Sequence, residues 1–290
     1  MRSRIVDYLN QLTGTSIFHW VVPDPSLLYP VVVIICAFVY VKRCTASGLD
    51  RRRAIYSAVA ASVGAAIGSR LFFAAQHAES YILRPLDLLA PGGTISWGAY
   101  LGVVLGLLTY TRIRNESSFR YLDVLGSCLA LGPFLGRWIC FLNGDDYGKI
   151  TDVPWGIQYP AGSIPFAAHV NDGLVGYNSA YSATVHPNQL YLSLNGLVLY
   201  ILMIRVWKKY RFHEGVTFGF YCLLYGISRF MLEFFRDEPS SALIPQLNSS
   251  QLFSLAAAGA GALFLIHHYR TRSYVAITGE GTNTMRGETP

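Results

Sequence analysis

Charge is scarce in this chain of 290 residues. Lys, Arg, Asp and Glu together make up 14% of it, against about 25% in soluble domains. That excludes a fold with a solvated surface all round. Cysteine is sparse as well. Cys36, Cys44, Cys128, Cys140 and Cys222 have no paired or metal-ligand spacing, and all but Cys44 fall in apolar runs. They read as small buried hydrophobes, so no disulfide framework, metal site or resident cofactor is expected. No hydrolase triad, phosphate-cradling glycine loop or fixed-period repeat occurs. Arg2 and Arg4 are not followed by a clean apolar stretch and a small-residue cleavage site, so no cleavable leader is expected and the first spanning helix is expected to direct insertion.

What the chain has instead is apolar length. It is 52% hydrophobic and 14% aromatic, and Trp and Tyr favour the membrane–water boundary. Runs long enough to cross a bilayer fall near Leu27–Val41, Ala54–Ala75, Ile95–Tyr110, Tyr121–Leu142, Gln189–Val206, Val216–Phe235 and Gln251–His267. The fold class is therefore an all-α integral membrane protein with seven transmembrane helices. Residues 1–25 read as an interfacial arm, residues 26–277 as the membrane unit and residues 278–290 as a disordered tail.

Loop charge gives the orientation. Lys42, Arg43, Arg51, Arg52 and Arg53 follow the first run. Arg112, Arg114 and Arg120 follow the third, and Arg205, Lys208, Lys209 and Arg211 the fifth. Arg270, Arg272 and Arg286 follow the seventh, while the alternate connections hold little beyond Arg84, Lys149 and Arg236. This predicts the N terminus outside and the C terminus in the cytoplasm. The formal charge of +6 then serves topology, and no nucleic-acid partner is expected. The connection over residues 143–187 becomes a small extracytoplasmic cap, with short strands expected around Gly156–Pro160 and a rigid interfacial wedge at Pro154, Trp155, Tyr159 and Pro160.

Polar groups within the runs are few and fall toward one face of the membrane. Arg70 lies late in the second run and Arg137 late in the fourth. Tyr225, Arg229, Glu233 and Arg236 are spaced by four, four and three residues, which aligns them on one helical face. His186, Pro187, Asn188 and Gln189 open the fifth run. Each has a plain reading: snorkelling for Arg70, an intrahelical ion pair for Arg229 and Glu233, a helix start for His186, and capping or turn roles for Asn143 and Asp145. Taken together, however, buried arginines are costly in lipid and mark sites. Two or three cations with one acid leave positive charge over, and guanidinium groups bind phosphate bidentately. The anion expected is a phospholipid headgroup. Gly64 and Gly68 read as close helix packing.

The stretch Gly136-Arg137-Trp-Ile-Cys140-Phe-Leu-Asn143-Gly-Asp145-Asp146-Tyr-Gly148, followed by Pro154-Trp155 and Tyr159-Pro160, resembles the signature of bacterial prolipoprotein diacylglyceryl transferases, roughly G-R-x-x-N-F-x-N-x-E-x-x-G and then P-W-x-x-x-F-P. His186-Pro-Asn-Gln189-Leu-Tyr191 is similar to the family's H-P-x-Q-L-Y. Tyr225 through Arg236 is similar to Y-G-x-x-R-x-x-x-E-x-x-R. Ser250-Gln251-Leu-Phe-Ser254 resembles the opening of the last helix, and Tyr29 fits the tyrosine of the first. The resemblance implies seven spans in the bacterial inner membrane and transfer of diacylglyceryl from phosphatidylglycerol to the lipobox cysteine at a prolipoprotein signal peptide, with glycerol 1-phosphate released. It also implies that Arg137 and Arg229 hold the phosphate and that Tyr225 and Tyr29 orient the lipid. Asn143, Asp145 and Gly148 would shape the headgroup pocket, with Arg70, His186, Gln189, Glu233 and Arg236 around it.

Three positions depart from the family pattern. Trp97-Gly98-Ala99-Tyr100 aligns with the family's H-G-G-L, so Trp97 stands where the family has a histidine. Cys140 stands for an asparagine and Asp145 for a glutamate. Asp145, His186 and Tyr225 are the remaining candidates for the base. The departures leave open a different acceptor, or a phospholipid-binding membrane protein without turnover.

Overall fold

A chain this apolar can satisfy its backbone in lipid only as helix or closed barrel, and helices are what forms. The computed structural model describes residue 11 and residues 25–83, 95–210, 213–238 and 247–278, leaving aside the side chains of residues 25, 80, 82, 83 and 271–278. Apart from Gln11, Pro25 and Thr278, the expected arm and tail lie outside these residues. In order come α1 (Tyr29–Ala46), α2 (Arg51–Gln76), α3 (Ala78–Leu83), α4 (Ser96–Ile113), α5 (Ser118–Cys128) and α6 (Leu131–Asn143). Then follow α7 (Ile164–Asn171), α8 (Asn188–Tyr210), α9 (Val216–Leu232) and α10 (Ser249–Thr278).

Five of these segments are long and apolar enough to cross a membrane: Ser26–Ala46, Arg51–Gln76, Asn188–Tyr210, Val216–Phe235 and Ser249–Arg270. Large apolar side chains point outward along them, among them Ile34, Phe38, Val59, Ile67, Leu194 and Leu263, as lipid-facing surfaces require. The expected fourth span is two helices, α5 and α6, bent by 43° at their junction. Gly132 and Pro133 follow the break. Proline is tolerated in a first helical turn but not inside a helix, so the chain restarts there. The bent pair would count as a sixth span. The expected third span, α4, has 18 residues but is less apolar, with Trp97, Tyr100, Tyr110 and Arg112 diluting it.

The glycines of α2 and α4 let two backbones touch. A Cβ added at Gly102 would lie 2.0 Å from the Gly64 carbonyl oxygen, and one at Gly68 would lie 2.3 Å from that of Gly98. The pair α9 and α10 meets in the same way, with Gly226 against the Ser254 carbonyl and Gly261 against that of Gly219.

The two ends of α9 are built differently. At its start, Asp123 of α5 accepts hydrogen bonds from the Gly215 and Phe218 N–H groups at 2.6 and 2.9 Å, occupying donors that a helix N-terminus leaves bare. Nearby, Arg43 of α1 donates to Ser127 Oγ and Tyr200 Oη, each at 2.9 Å, tying three helices together. At the other end of α9 lies the 143–187 segment. Gly144, in the left-handed region, closes α6. The segment carries α7 and is laced by single antiparallel bridges, Ile157 with Val185 and Pro160 with Tyr181 among them. The short strands expected around Gly156–Pro160 are therefore isolated bridges, because the prolines and turns allow no longer ladder.

Candidate functional site

Two helix ends build the site. On α6 the period of 3.6 turns Arg137 inward and Trp138 outward. Gly144 then reverses the chain and presents Asp145 and Asp146, the latter with φ of 55°. From α9 come Tyr225 and Arg229. A short 3-10 turn over Glu233–Phe235 then delivers Glu233 and Arg236.

These groups form one charged lattice. Asp146 bridges two helix ends, with Oδ2 on Arg137 and Oδ1 on Arg236. Arg229 pairs with Glu233 one turn on. Arg236 Nη1 lies 3.1 Å from Glu233 Oε1 and 2.6 Å from Glu238 Oε2, and Asn248 Nδ2 donates to Glu233 Oε1 at 3.1 Å. Arg229 and Glu233 are only 3% and 2% exposed. The positive surplus expected from the sequence is not found: three arginines face Asp145, Asp146, Glu233 and Glu238. Burial by itself would raise the Asp146 carboxyl, but Arg137, Arg236 and Arg229 outweigh it and hold it at about 2. Asp145 is pushed up by burial and by the charge of Asp146. Burial pushes Glu238 up to about 7, with Glu233 adding to the shift and Arg236 opposing it.

The lattice borders a cavity of about 290 Å³. Arg137, Arg229, Arg236, Asp145, Asp146 and Glu238 line its polar side, and Trp97, Tyr225 and Phe253 are on its aromatic side. Trp97 stacks on Phe253 at 5.7 Å, and Tyr225 Oη donates to Tyr100 Oη at 3.2 Å. A second cavity, of about 300 Å³, lies among α1, α2, α4, α5 and α6 with walls such as Val32, Cys36, Ala61, Val103 and Leu129. The two share Tyr29, Ser96, Tyr100, Arg137 and Cys140. A polar chamber and an apolar one thus share a wall at Arg137, where Tyr29 Oη meets Cys140 Sγ at 3.4 Å. The arrangement suits a molecule with an anionic head and a hydrocarbon body.

Of the residues singled out in the sequence, Arg137, Arg229, Arg236, Tyr225, Tyr29, Trp97 and Asp145 line the polar chamber, and Glu233 sits behind them on Arg229. The others stand off. Gln189 is buried and donates to the Asp145 carbonyl at 2.6 Å and to Tyr159 Oη at 2.9 Å, pinning the loop. His186 bonds Tyr191 Oη at 3.2 Å and packs edge-on against Phe235. Asn143 donates to Ser26 Oγ at 3.0 Å. A Cβ at Gly148 would lie 2.5 Å from the His186 carbonyl, so glycine is required there. Arg70 lies over the Tyr81 ring.

Sequence reasoning missed Asp146, Glu238 and Tyr100 as lining groups. Tyr100 could have been found one turn from Trp97, and Glu238 two residues beyond Arg236. Cys140, Asp145 and Asp146 bring their ligand atoms within 4.8 Å of one another. However, Arg137 and Arg236 already supply the positive charge that a cation would bring there.

The family model described as prolipoprotein diacylglyceryl transferase matches residues 18–267. Among curated proteins, the phosphatidylglycerol–prolipoprotein diacylglyceryl transferase of Synechococcus elongatus is 29% identical, over 77% of this chain and 77% of its own length. The protein of that name from Acaryochloris marina is 32% identical, over 71% of this chain and 72% of its own length. The one from Mannheimia succiniciproducens is 30% identical, over 73% and 74%.

Proposed function

Because the chain belongs to the prolipoprotein diacylglyceryl transferase family, a family of transferases, we propose that it moves the diacylglyceryl group of phosphatidylglycerol onto the thiol of a prolipoprotein's lipobox cysteine and releases glycerol 1-phosphate. The observation that carries this reading is the junction at Arg137, where the charged chamber and the apolar cavity share a wall. A lipid held there has its acyl chains in the apolar cavity and its phosphate among guanidinium groups. Attack by the acceptor sulfur on the glycerol carbon bearing the phosphate forms a C–S bond and breaks the C–O bond. Negative charge collects on the leaving phosphate, which Arg137 and Arg229 stabilise as it develops. Tyr29 and Tyr225 orient the headgroup.

The thiol attacks as thiolate, so its proton needs an acceptor. Of the three candidates, Asp145 is favoured. It lines the chamber, its Oδ1 is buried without a hydrogen bond among the described residues, and burial raises its basicity. Tyr225 is engaged with Tyr100, and His186 with Tyr191. The proton passes from sulfur to Asp145 and on to the departing phosphate.

In this reading residues 26–277 cross the bacterial inner membrane seven times, with α4 and the bent α5–α6 pair each counting as one crossing. The N terminus is outside, and the 143–187 segment faces the compartment from which the prolipoprotein signal peptide arrives. A second reading, transfer to another acceptor or lipid binding without turnover, draws on Trp97, whose stacking on Phe253 gives an apolar wall where the family has histidine. Labelled phosphatidylglycerol and a lipobox peptide, incubated with the purified protein, decide between them. Lipidated peptide is expected. None, where another family member yields product, favours the second reading.

A further inference from the structure

Among the described residues, Asp146 is the one carboxylate whose two oxygens face guanidinium groups from two different helix ends, Oδ2 that of Arg137 and Oδ1 that of Arg236. Two oxygens of one anion, each on its own arginine, is the pattern in which such groups grip a phosphate. Asp146 also borders the polar chamber beside those arginines. Its backbone belongs to a fixed loop: Gln189 holds the preceding carbonyl at 2.6 Å, and Gly144 sets the reversal. Among the described residues its side chain, by contrast, is fastened only through long arginine side chains.

We propose that Asp146 is the displaceable counter-anion of this site, occupying the place between Arg137 and Arg236 that the phosphate takes while Arg229 also faces it from the same chamber, and setting the charge of the headgroup the site accepts. The inference rests on the lipid-phosphate reading above and deepens it. Asp146, displaced but still beside the arginines, adds its charge to those of Asp145 and Glu233, which favours a phosphodiester with a single negative charge over an anion with two. The released glycerol 1-phosphate is a phosphomonoester whose second proton dissociates near pH 6, so it carries close to two negative charges. Asp146 re-forming its two pairs competes with that dianion and clears the site. Without Asp146 the arginines would suit the product better than the substrate.

The test is competition. The full chain in lipid nanodiscs binds labelled phosphatidylglycerol, and two soluble probes compete, glycerol 1-phosphate and its methyl phosphodiester. On the unaltered protein the monoanionic diester is expected to compete at least as well as the dianionic monoester. If the monoester is instead better by about tenfold, the scale of one added charge at close range, the proposal is overturned. This arm needs no variant, which matters because Asp146→Asn leaves two buried guanidinium groups without their acid. Asp146→Asn and Asp146→Gly both tolerate the left-handed backbone at this position. In each, glycerol 1-phosphate is expected to gain about tenfold over the diester, with Asp146→Glu restoring the original order. A ratio within twofold of the unaltered protein in both folded variants overturns the role. Transfer to a lipobox peptide is read separately. Absent transfer with the competition order intact overturns the reaction but not Asp146, and transfer with the order reversed overturns Asp146 alone. A folded protein that binds no phosphatidylglycerol overturns both.

Discussion

Two aspartates mark the two ends of α9, Asp123 buried and Asp146 partly exposed, and they are held in opposite ways. Asp123 spends its oxygens on backbone N–H groups of Gly215 and Phe218. Those donors cannot move without unwinding the helix, so the carboxylate is a permanent cap. Asp146 spends its oxygens on two arginine side chains, which can rotate and take another anion. One carboxylate is part of the frame, and the other is part of the working surface. The partner's freedom to move, more than the depth of burial, separates the two.

The largest expected effect comes at the working end. Arg137→Gln removes a cation from the leaving phosphate, and transfer to a lipobox peptide should fall about 100-fold or more. Retention of a tenth of the activity would refute its role. Next comes the frame itself. Gly102→Ala drives a methyl into the Gly64 carbonyl, and overpacking of this kind costs about 3 kcal/mol, to be read as a lowered melting temperature in detergent. Asp123→Ala strands two helix-start donors and should cost about 2 kcal/mol. The fraction that remains folded should keep its turnover and its preference among anions, in contrast to Asp146 variants. Altered anion preference in Asp123→Ala would erase the distinction between the two aspartates.

Smaller effects follow pH. Glu238 has its folded value raised to about 7, so its contribution to stability is full below the ordinary glutamate range and is lost as pH rises through about 7. Asp146 is depressed to about 2, so its contribution is present above the ordinary aspartate range and is lost as pH falls toward 2. Phosphatidylglycerol binding should therefore weaken by about threefold above pH 7, as ionised Glu238 adds a third acid to Arg236 beside Glu233 and Asp146. Glu238→Gln should flatten that limb in a titration of binding against pH. The smallest effect is expected at Trp97→Phe, which keeps the aromatic wall against Phe253 and should leave transfer within about threefold. A collapse of activity would mean that the indole N–H takes part.

Much of this was legible from residue order. Arg137 and Arg229 could be expected to meet because both sit late in apolar runs that end at one membrane face, and the structure gives them one chamber. The close approach of Gly64 and Gly68 to a neighbouring helix could be read from their spacing. The charge balance could not. Whether Asp146 points at arginine or at solvent depends on the left-handed turn after Gly144, which no periodicity reports. The break between α5 and α6 was announced by Gly132 and Pro133, yet hydropathy runs smoothly across it. His186 and Gln189 share the membrane face of the chamber residues but act on the loop, because a helix start presents its first side chains to the chain that enters it.

The glycine contacts have a mechanical consequence. Helices whose backbones touch cannot slide or part without losing contact along their whole length. The α2–α4 and α9–α10 pairs therefore behave as two stiff panels, joined at the chamber by rings: Phe72 and Trp97 on one side, Phe253 and Tyr225 on the other. Rings can slip past one another where glycine-packed backbones cannot. Any breathing that lets a bulky amphiphile in sideways would therefore run along that aromatic hinge line, with each panel swinging as a unit.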